Sequence, residues 1–336
     1  MENLKNFIST HADDINNNNW EKIYQDAQNL SAPQVGELTS IFYKADINPL
    51  LYLNTVPKYY LYDSSIDSFV IPNNITSIEI NAFEDCDNLT DIIIPDSVVN
   101  IEDHAFRYCR SLAKIKIPDS VTSIGYQAFQ GCINLKDISI GNNVTIIESN
   151  AFEDCKSLTS IVIPDSVASI GYSAFINCKS LTKVTLGNRV THIEYGMFGK
   201  CSSLTSITIP DSVTSIGKFA FSNCINLTSI TMGNSVKSIG NNAFYGCSSL
   251  TSIEIPDSVN SIGNSAFEDC RSLTNIKLPN SVTSIEIYVF SGCIKLSEIL
   301  FDGTKNQWEN IKKNRMWNRG SGLEKIICID GEVNIS

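Results

Sequence analysis

Histidine and the usual metal and phosphate motifs are scarce in this 336-residue chain. The three histidines, His11, His104 and His192, lie far apart, and none belongs to a nucleophile or metal motif. Eleven cysteines are present, yet no Cys-x-x-Cys pair supplies the spacing of a zinc site. A Gly-rich phosphate loop is also missing. We therefore expect no enzyme: no catalytic residue, no metal ligand and no cofactor.

Long apolar runs and an excess of positive charge are missing as well. No stretch reaches eighteen apolar residues, and the first thirty residues lack the pattern of a signal peptide. We expect a cytoplasmic protein without membrane insertion, or a cell-surface protein if a signal peptide has been removed. Acidic residues outnumber basic ones by 36 to 25, and most of this excess lies within residues 60–302. Such a surface repels phosphate backbones, so we expect no nucleic-acid partner.

The one basic cluster lies near the C-terminus. It consists of Lys312, Lys313, Arg315 and Arg319. A solvated helix face and loop is favoured over a phosphate or acidic-partner site, because charge runs usually lie on solvated surfaces.

A 23-residue repeat dominates the chain. Each repeat has a Phe, followed three residues later by a Cys and after three more by a Leu. The Phe positions are 83, 106, 129, 152, 175, 198, 221, 244, 267 and 290. This regularity predicts a solenoid, in which every coil buries its apolar side chains against its neighbours.

Each repeat divides into a strand, a turn and a return segment. The spacing in residues 204–209, Leu-Thr-Ser-Ile-Thr-Ile, predicts one short parallel strand per coil. Pro210 ends the strand, and Asp211 is expected to bond its own backbone in the turn. The spacing of Ala220, Phe221, Cys224 and Leu227 then predicts a helical or 3₁₀ turn.

Three regions follow from this pattern. We predict a helical N-terminal segment over residues 1–59, with three short helices of which the third starts near Ser31 and Pro33. The solenoid spans residues 60–302, opening with a half-repeat that has Tyr60 in the Phe column and Asp63 in the Cys column. A C-terminal cap spans residues 303–336, with a helix through residue 314 and a closing strand near 326–329.

The cysteine and aspartate columns each have a structural and a functional interpretation. Ten stacked cysteines fit a ladder of buried thiols in a reducing compartment better than disulfides or a metal site. The Asp column has the alternative of calcium ligands, but Asn replaces Asp in several coils and the Gly-rich spacing of such sites is missing. Turn chemistry is therefore favoured. Between residues 141 and 256, Gly-Asn turns alternate with Pro-Asp turns, which suggests duplication of a two-coil unit.

The repeat Ala-Phe-x-x-Cys-x-x-Leu-Thr-Ser-Ile-x-Ile-Pro-Asp-Ser-Val-Thr-Ser-Ile-Gly resembles that of the BspA-like leucine-rich-repeat family of host-associated bacteria, some of their phages and certain protozoa. The tail from Phe301 to Trp308, followed by Trp317 and Cys328, is similar to the closing module of such proteins. The resemblance implies an α/β repeat fold, a right-handed leucine-rich-repeat solenoid with one short parallel strand per coil. It also implies adhesion or ligand binding rather than catalysis.

Two surfaces are candidates for binding an unidentified protein partner. The strand face presents polar outward residues, and the turn before Ala-Phe presents outward aromatic residues. The candidate contact residues are Tyr126, Tyr172, Tyr195, Phe219, Lys114, Lys116, Lys183 and Thr185. Two alternatives remain: a passive spacer that presents the two ends of the chain, and an inhibitor of a host protein encoded by a phage or mobile element.

Overall fold

A computed structural model describes residues 2–45, 47–62 and 66–335. Asp63, expected in the Cys column, lies outside the described residues. The chain divides into two compact units, Met1–Leu158 and Thr159–Ser336. Each unit is a stack of parallel-strand coils, so the predicted solenoid is confirmed.

The first unit begins with helices. Ser31 starts the longest one through a capping box with Gln34, and Pro33 lies in its first turn, as predicted. Buried Trp20 packs edge-on against Phe42 at 5.0 Å. The described part has more helices than the three predicted, because two turns and a 3₁₀ segment break the pattern. The α-helices are Glu2–Thr10, Ala12–Asn16, Trp20–Asp26 and Ala32–Lys44, and the 3₁₀ helices are Ala27–Asn29 and Pro49–Tyr52.

Each coil of the first unit contributes two short strands. The first strand is the predicted one, and the second was missed by the sequence analysis, because a strand of two residues has too little alternation to reveal it. The first strands are Ser68–Val70, Asp91–Ile93, Lys114–Lys116 and Asp137–Ser139. The second strands are Thr55–Val56, Ser77–Ile78, Asn100–Ile101, Ser123–Ile124 and Ile146–Ile147.

The second unit repeats this plan. Its first strands are Ser160–Val162, Lys183–Thr185, Ser206–Thr208, Ser229–Thr231, Ser252–Glu254, Asn275–Pro279, Glu298–Asp302 and Lys325–Cys328. Its second strands are Ser169–Ile170, His192–Ile193, Ser215–Ile216, Ser238–Ile239, Ser261–Ile262, Ser284–Ile285 and Lys312–Lys313. Strand Gly331–Asn334 pairs antiparallel with Lys325–Cys328 and closes the sheet.

The register between coils is 23 residues except at the two ends, since Glu298 pairs with Lys325 and Ser284 with Lys312 where the C-terminal residues join the sheets. Ile207 pairs with Ile230, and both side chains point inward. In the opening coil, however, Thr55 pairs with Ser77, 22 residues later. The prediction that Tyr60 occupies the Phe column is therefore wrong by one residue. Leu61 lies there, since its carbonyl accepts the Sγ–H of Cys86 as Phe carbonyls do in later coils.

The segment around each repeat Phe is a series of turns and not the predicted helical or 3₁₀ turn. The N–H groups of Phe219, Phe221 and Asn223 donate to carbonyls of the next coil, whereas those of Ser222 and Cys224 donate within their own coil. A helix would satisfy all of these groups internally. Pairing every second N–H with the next coil instead adds a third hydrogen-bonded ladder to the stack.

The core consists of repeated columns. Phe106 and Phe129 stack at 5.1 Å with their rings 5° apart, and Phe221 and Phe244 stack at 5.4 Å and 2°. All eleven cysteines are buried and none forms a disulfide in the part of the chain that the structure describes, which agrees with the predicted thiol ladder. Each column buries its side chains only because the neighbouring coil supplies the same side chain.

The turns explain the alternation of Pro-Asp with Gly-Asn. Asp211 was expected to bond its own backbone, but the aspartates of these turns accept from the next coil. Asp165 Oδ1, for example, accepts the backbone N–H of Asn188 at 2.8 Å. A Cβ at Gly187 would lie 2.4 Å from the carbonyl oxygen of Pro164. Close approach of the two coils therefore requires glycine there. The same arrangement recurs at Asp119–Asn142 and Asp211–Asn234.

The C-terminal residues cover the last coil. Helix Lys305–Asn310 begins at the capping box of Thr304 and Gln307. It ends before residue 314, where the helix was predicted to end, because Lys312–Lys313 pairs as a strand with Ser284–Ile285. Trp308 packs edge-on against Phe301 at 5.4 Å. The predicted closing strand is confirmed as Lys325–Cys328.

Candidate functional site

The exposed aromatic residues of the second unit lie at, or directly before, a position where the backbone is left-handed. The residue two positions before each repeat Phe has a positive φ in all ten coils. Asn, Gly and Ser occupy most of these positions, but Phe219 has a φ of 59°. A left-handed conformation costs a bulky residue about 1–2 kcal/mol. Strain of this kind, at an exposed side chain, is a pointer to function.

We call Tyr172, Tyr195 and Phe219 the aromatic patch. They come from three successive coils, and their exposed fractions are 59%, 47% and 37%. The rings of Tyr195 and Phe219 meet edge-on at 5.6 Å. This geometry adds about 0.5–1.5 kcal/mol to aromatic packing. The patch therefore presents rigid aromatic surface of the kind that dominates protein interfaces.

Tyr288 shows what a structural role at the same column looks like. Its φ is 59°, as for Phe219. Its hydroxyl donates to Sδ of Met316 at 3.1 Å, so the side chain is held by the C-terminal residues. Phe219 instead contacts the exposed Tyr195. A contact with the C-terminal residues therefore does not explain why an aromatic residue stands at this position.

Two glycines make a notch within the aromatic patch. Gly196 stands where other coils have a side chain, and Gly199 follows the repeat Phe of the same coil. Cβ atoms built on them would lie 3.7 Å and 3.5 Å from the side chain of Ile176. Both glycines are buried, and the side chain of Ile176, which is partly exposed, fills this notch.

The other predicted contact residues are exposed, but the structure does not bring them into this patch. Tyr126 belongs to the first unit, where its backbone N–H donates to Asp103 Oδ1 at 2.7 Å. Lys114 and Lys116 flank buried Ile115 on a first strand of that unit. Lys114 also pairs with Asp91, its Nζ lying 3.5 Å from a carboxylate oxygen.

Lys183 and Thr185 lie in the second unit with the aromatic patch. They occupy a first strand, opposite Ser160 and Val162. The patch belongs instead to the segment that follows the second strand. The strand face and the aromatic patch are therefore two separate surfaces formed by different segments of the same coils.

An apolar cleft on the first unit was missed by the sequence analysis. It has a volume of about 470 Å³ and is lined in part by Tyr43, Phe69, Val70 and Ile93. Val70 and Ile93 pair in register and are more than half exposed. The sequence did carry a signal for this cleft, because Val70 and Ile93 are apolar at an outward strand position that is polar in most coils. The contribution of Tyr43 was not readable, since it depends on how the fourth α-helix packs.

The histidines and cysteines are held in local contacts. His104 Nε2 lies 2.9 Å from Gln127 Oε1, and His192 Nδ1 lies 2.9 Å from the hydroxyl of Thr191. Burial raises the pKa of the Cys224 thiol to about 12, which keeps it protonated and poorly nucleophilic. Across the described ranges, no group of three or more His, Cys, Asp or Glu side chains is arranged to hold a metal ion.

Comparison with protein families identifies the repeat. A family model described as the BspA type leucine rich repeat region matches residues 54–182, 145–248 and 191–320. The chain belongs to this family. A sequence comparison of this BspA-type protein with curated proteins returned no significant match. In the part that the structure describes, none of its helices has the length and apolar character needed to span a membrane.

Solved structures similar to this BspA-type protein include bacterial leucine-rich-repeat proteins. A leucine rich cell surface protein from Faecalibacterium prausnitzii is 32% identical, over 77% of this chain and 79% of that one, with a TM-score of 0.49. A leucine-rich repeat protein from Bacteroides ovatus is 27% identical over 76% and 91%, with a TM-score of 0.42. The pneumococcal vaccine antigen PcpA is 21% identical over 81% and 85%, with a TM-score of 0.51.

Proposed function

We propose that this protein is a non-catalytic scaffold that binds a protein partner through the aromatic patch. The observation that carries the proposal is the exposure of Tyr172, Tyr195 and Phe219 on successive coils. Aromatic anchors on a rigid frame lose little conformational entropy on binding, so they contribute strongly to affinity. Membership of a repeat family with cell-surface relatives supports an adhesin-like role.

A passive spacer is the second candidate function. The first strands Ser206–Thr208 and Ser229–Thr231 have the same sequence and present only small hydroxyl side chains. A specific contact needs coils to differ, and these coils do not. If the protein is a spacer, partners bind the ends of the chain, and changes to the aromatic patch have no effect.

The test compares variants against a partner captured by the full-length chain and then purified. We expect the double variant Tyr172→Ala/Tyr195→Ala to bind at least about tenfold more weakly, a loss of about 1.4 kcal/mol. Tyr52→Ala is the matched control, because Tyr52 is 56% exposed but lies in the N-terminal helical region. The measurement is the equilibrium Kd by interferometry.

The strand face is tested in the same experiment with Lys183→Ala/Thr185→Ala. An unchanged Kd for this variant assigns binding to the aromatic patch alone. If the patch variant keeps its Kd within about twofold while this variant loses affinity, contact is on the strand face. If both variants retain affinity, the spacer is the better description.

A further inference from the structure

From the charges around the aromatic patch we infer that its partner presents an acidic segment with one large apolar side chain. This inference rests on the proposed function and adds the chemistry of the ligand. It draws on three features of the described residues: local charge, the glycine notch and the strained position of Phe219.

The local charge reverses that of the chain as a whole. The three return segments that carry the patch, residues 171–179, 194–202 and 217–225, contain Lys179, Lys200 and Lys218 but only one acid, Glu194. The whole chain has a formal net charge of −11. Among the described residues, these three lysines have no ion-pair partner, and all three are exposed. A basic surface favours an acidic ligand and repels the same basic surface of a second copy.

The centre of the patch is apolar. The side chain of Ile176, which fills the glycine notch, is partly exposed, and Tyr195 and Phe219 stand beside it. Phe219 has no hydroxyl with which to bond a sugar. The neighbouring Ser173 is buried and offers little to a polar ligand. These surroundings fit a large apolar side chain.

The backbone holds Phe219 in place before any ligand arrives. Its N–H donates to the carbonyl of Asn241 at 3.0 Å, and its carbonyl accepts the N–H of Ser222 at 3.1 Å. Both bonds fix the left-handed conformation that directs the ring outward next to Tyr195. A ring fixed in this way needs no ordering on binding, so it acts as a preorganised anchor.

The test uses a display library of random dodecapeptides, selected on the immobilised full-length protein. We expect the selected peptides to be enriched in Asp and Glu, depleted in Lys and Arg, and to share one large apolar residue. A synthetic peptide from this pool should bind Lys200→Glu/Lys218→Glu at least about tenfold more weakly than the wild type. Its affinity should also fall as the salt concentration rises.

Two further variants make the result specific. Phe219→Asn introduces the residue that Asn242 provides at the same column and should also lose about tenfold in affinity. Lys237→Glu changes an exposed lysine away from the patch and should bind within about twofold of the wild type. The thermal midpoint of each variant shows whether it is folded.

The outcomes separate this inference from the proposed function. Peptides without acidic bias that still depend on Phe219 would overturn the inference and leave the proposed scaffold intact. Peptides whose binding is independent of the patch, or no selected peptide at all, would count against both. If a heparin hexasaccharide binds in a Lys200- and Lys218-dependent manner and no peptide is selected, the site is a glycan site and the inference is wrong.

Discussion

Single cysteine residues illustrate how identical side chains acquire a role from stacking. The Sγ–H of Cys224 donates to the carbonyl of Phe198 at 3.1 Å, and the next coil repeats this bond with Cys247 and Phe221. The thiol is a second donor to the Phe198 carbonyl, which also accepts the backbone N–H of Cys201 in its own coil at 3.2 Å. Burial raises the pKa of these thiols, to about 12 for Cys224. They are thus structural hydrogen-bond donors and not reactive groups.

We expect stability to fall as the pH rises above about 8.5. In the unfolded chain the thiols ionise near that pH, whereas the folded chain keeps Cys224 protonated up to a pKa of about 12. The folded state then holds more protons, so the stabilising contribution is complete below the unfolded pKa and is lost as pH rises through the folded pKa. Urea unfolding at about pH 7 and about pH 10 measures this loss.

Alkylation provides the companion measurement. Iodoacetamide should modify the buried thiols only as fast as the protein unfolds, and Cys224→Ala should reduce the pH dependence of stability. Rapid alkylation of the folded protein near neutral pH would contradict the thiol ladder.

At the scale of the element, the turn is where neighbouring coils constrain each other most. Pro-Asp and Gly-Asn turns differ because an Asp carboxylate of one coil accepts a backbone N–H of the next. The close approach leaves no room for a Cβ at Gly141, Gly187 or Gly233. Pro-Asp and Gly-Asn turns thus alternate along the sequence because each Gly-Asn turn packs closely against the Pro-Asp turn of the coil before it.

Gly187→Ala should lower the free energy of unfolding by about 1–3 kcal/mol, the usual range for overpacking. The added Cβ would meet the Pro164 carbonyl oxygen at 2.4 Å, and this backbone atom cannot move without breaking its turn. Asn188→Ala is the neighbouring control, because it removes an exposed side chain and keeps the backbone N–H that Asp165 accepts. Equal denaturant midpoints for the two variants would show that the turns tolerate more separation than the structure indicates.

At the scale of the whole molecule, each unit is a stack whose stability comes from contacts between neighbouring coils. A stack has ends, and each end exposes strand edges and apolar side chains. In the second unit the C-terminal residues provide the cover. Lys325–Cys328 extends the sheet from Glu298–Asp302, and Trp317 packs edge-on against Phe290 at 6.0 Å.

Removal of residues 303–336 should cause self-association. The deletion would uncover the edge of Glu298–Asp302 together with buried Phe290 and Phe301. Light scattering during size-exclusion chromatography measures the mass, and circular dichroism measures whether the coils persist. A deletion variant that elutes as a monomer with an unchanged thermal midpoint would show that the cap is dispensable.

Sequence alone determined the repeat length, the inward columns of Phe, Cys and Leu, the first strand of each coil and the family. These features follow from composition and spacing, because identical apolar side chains every 23 residues can be buried only by stacking. The candidate surfaces were also readable as outward positions, including Tyr172, Tyr195 and Phe219.

Only the tertiary structure decided the second strands, the left-handed backbone of Phe219, the 22-residue opening coil and the apolar cleft beside Tyr43. Each depends on the path of one coil over the next. Backbone hydrogen bonds between neighbouring coils set that path, and such bonds form between groups that nearly every residue type shares. The spacing of the apolar side chains therefore does not specify them.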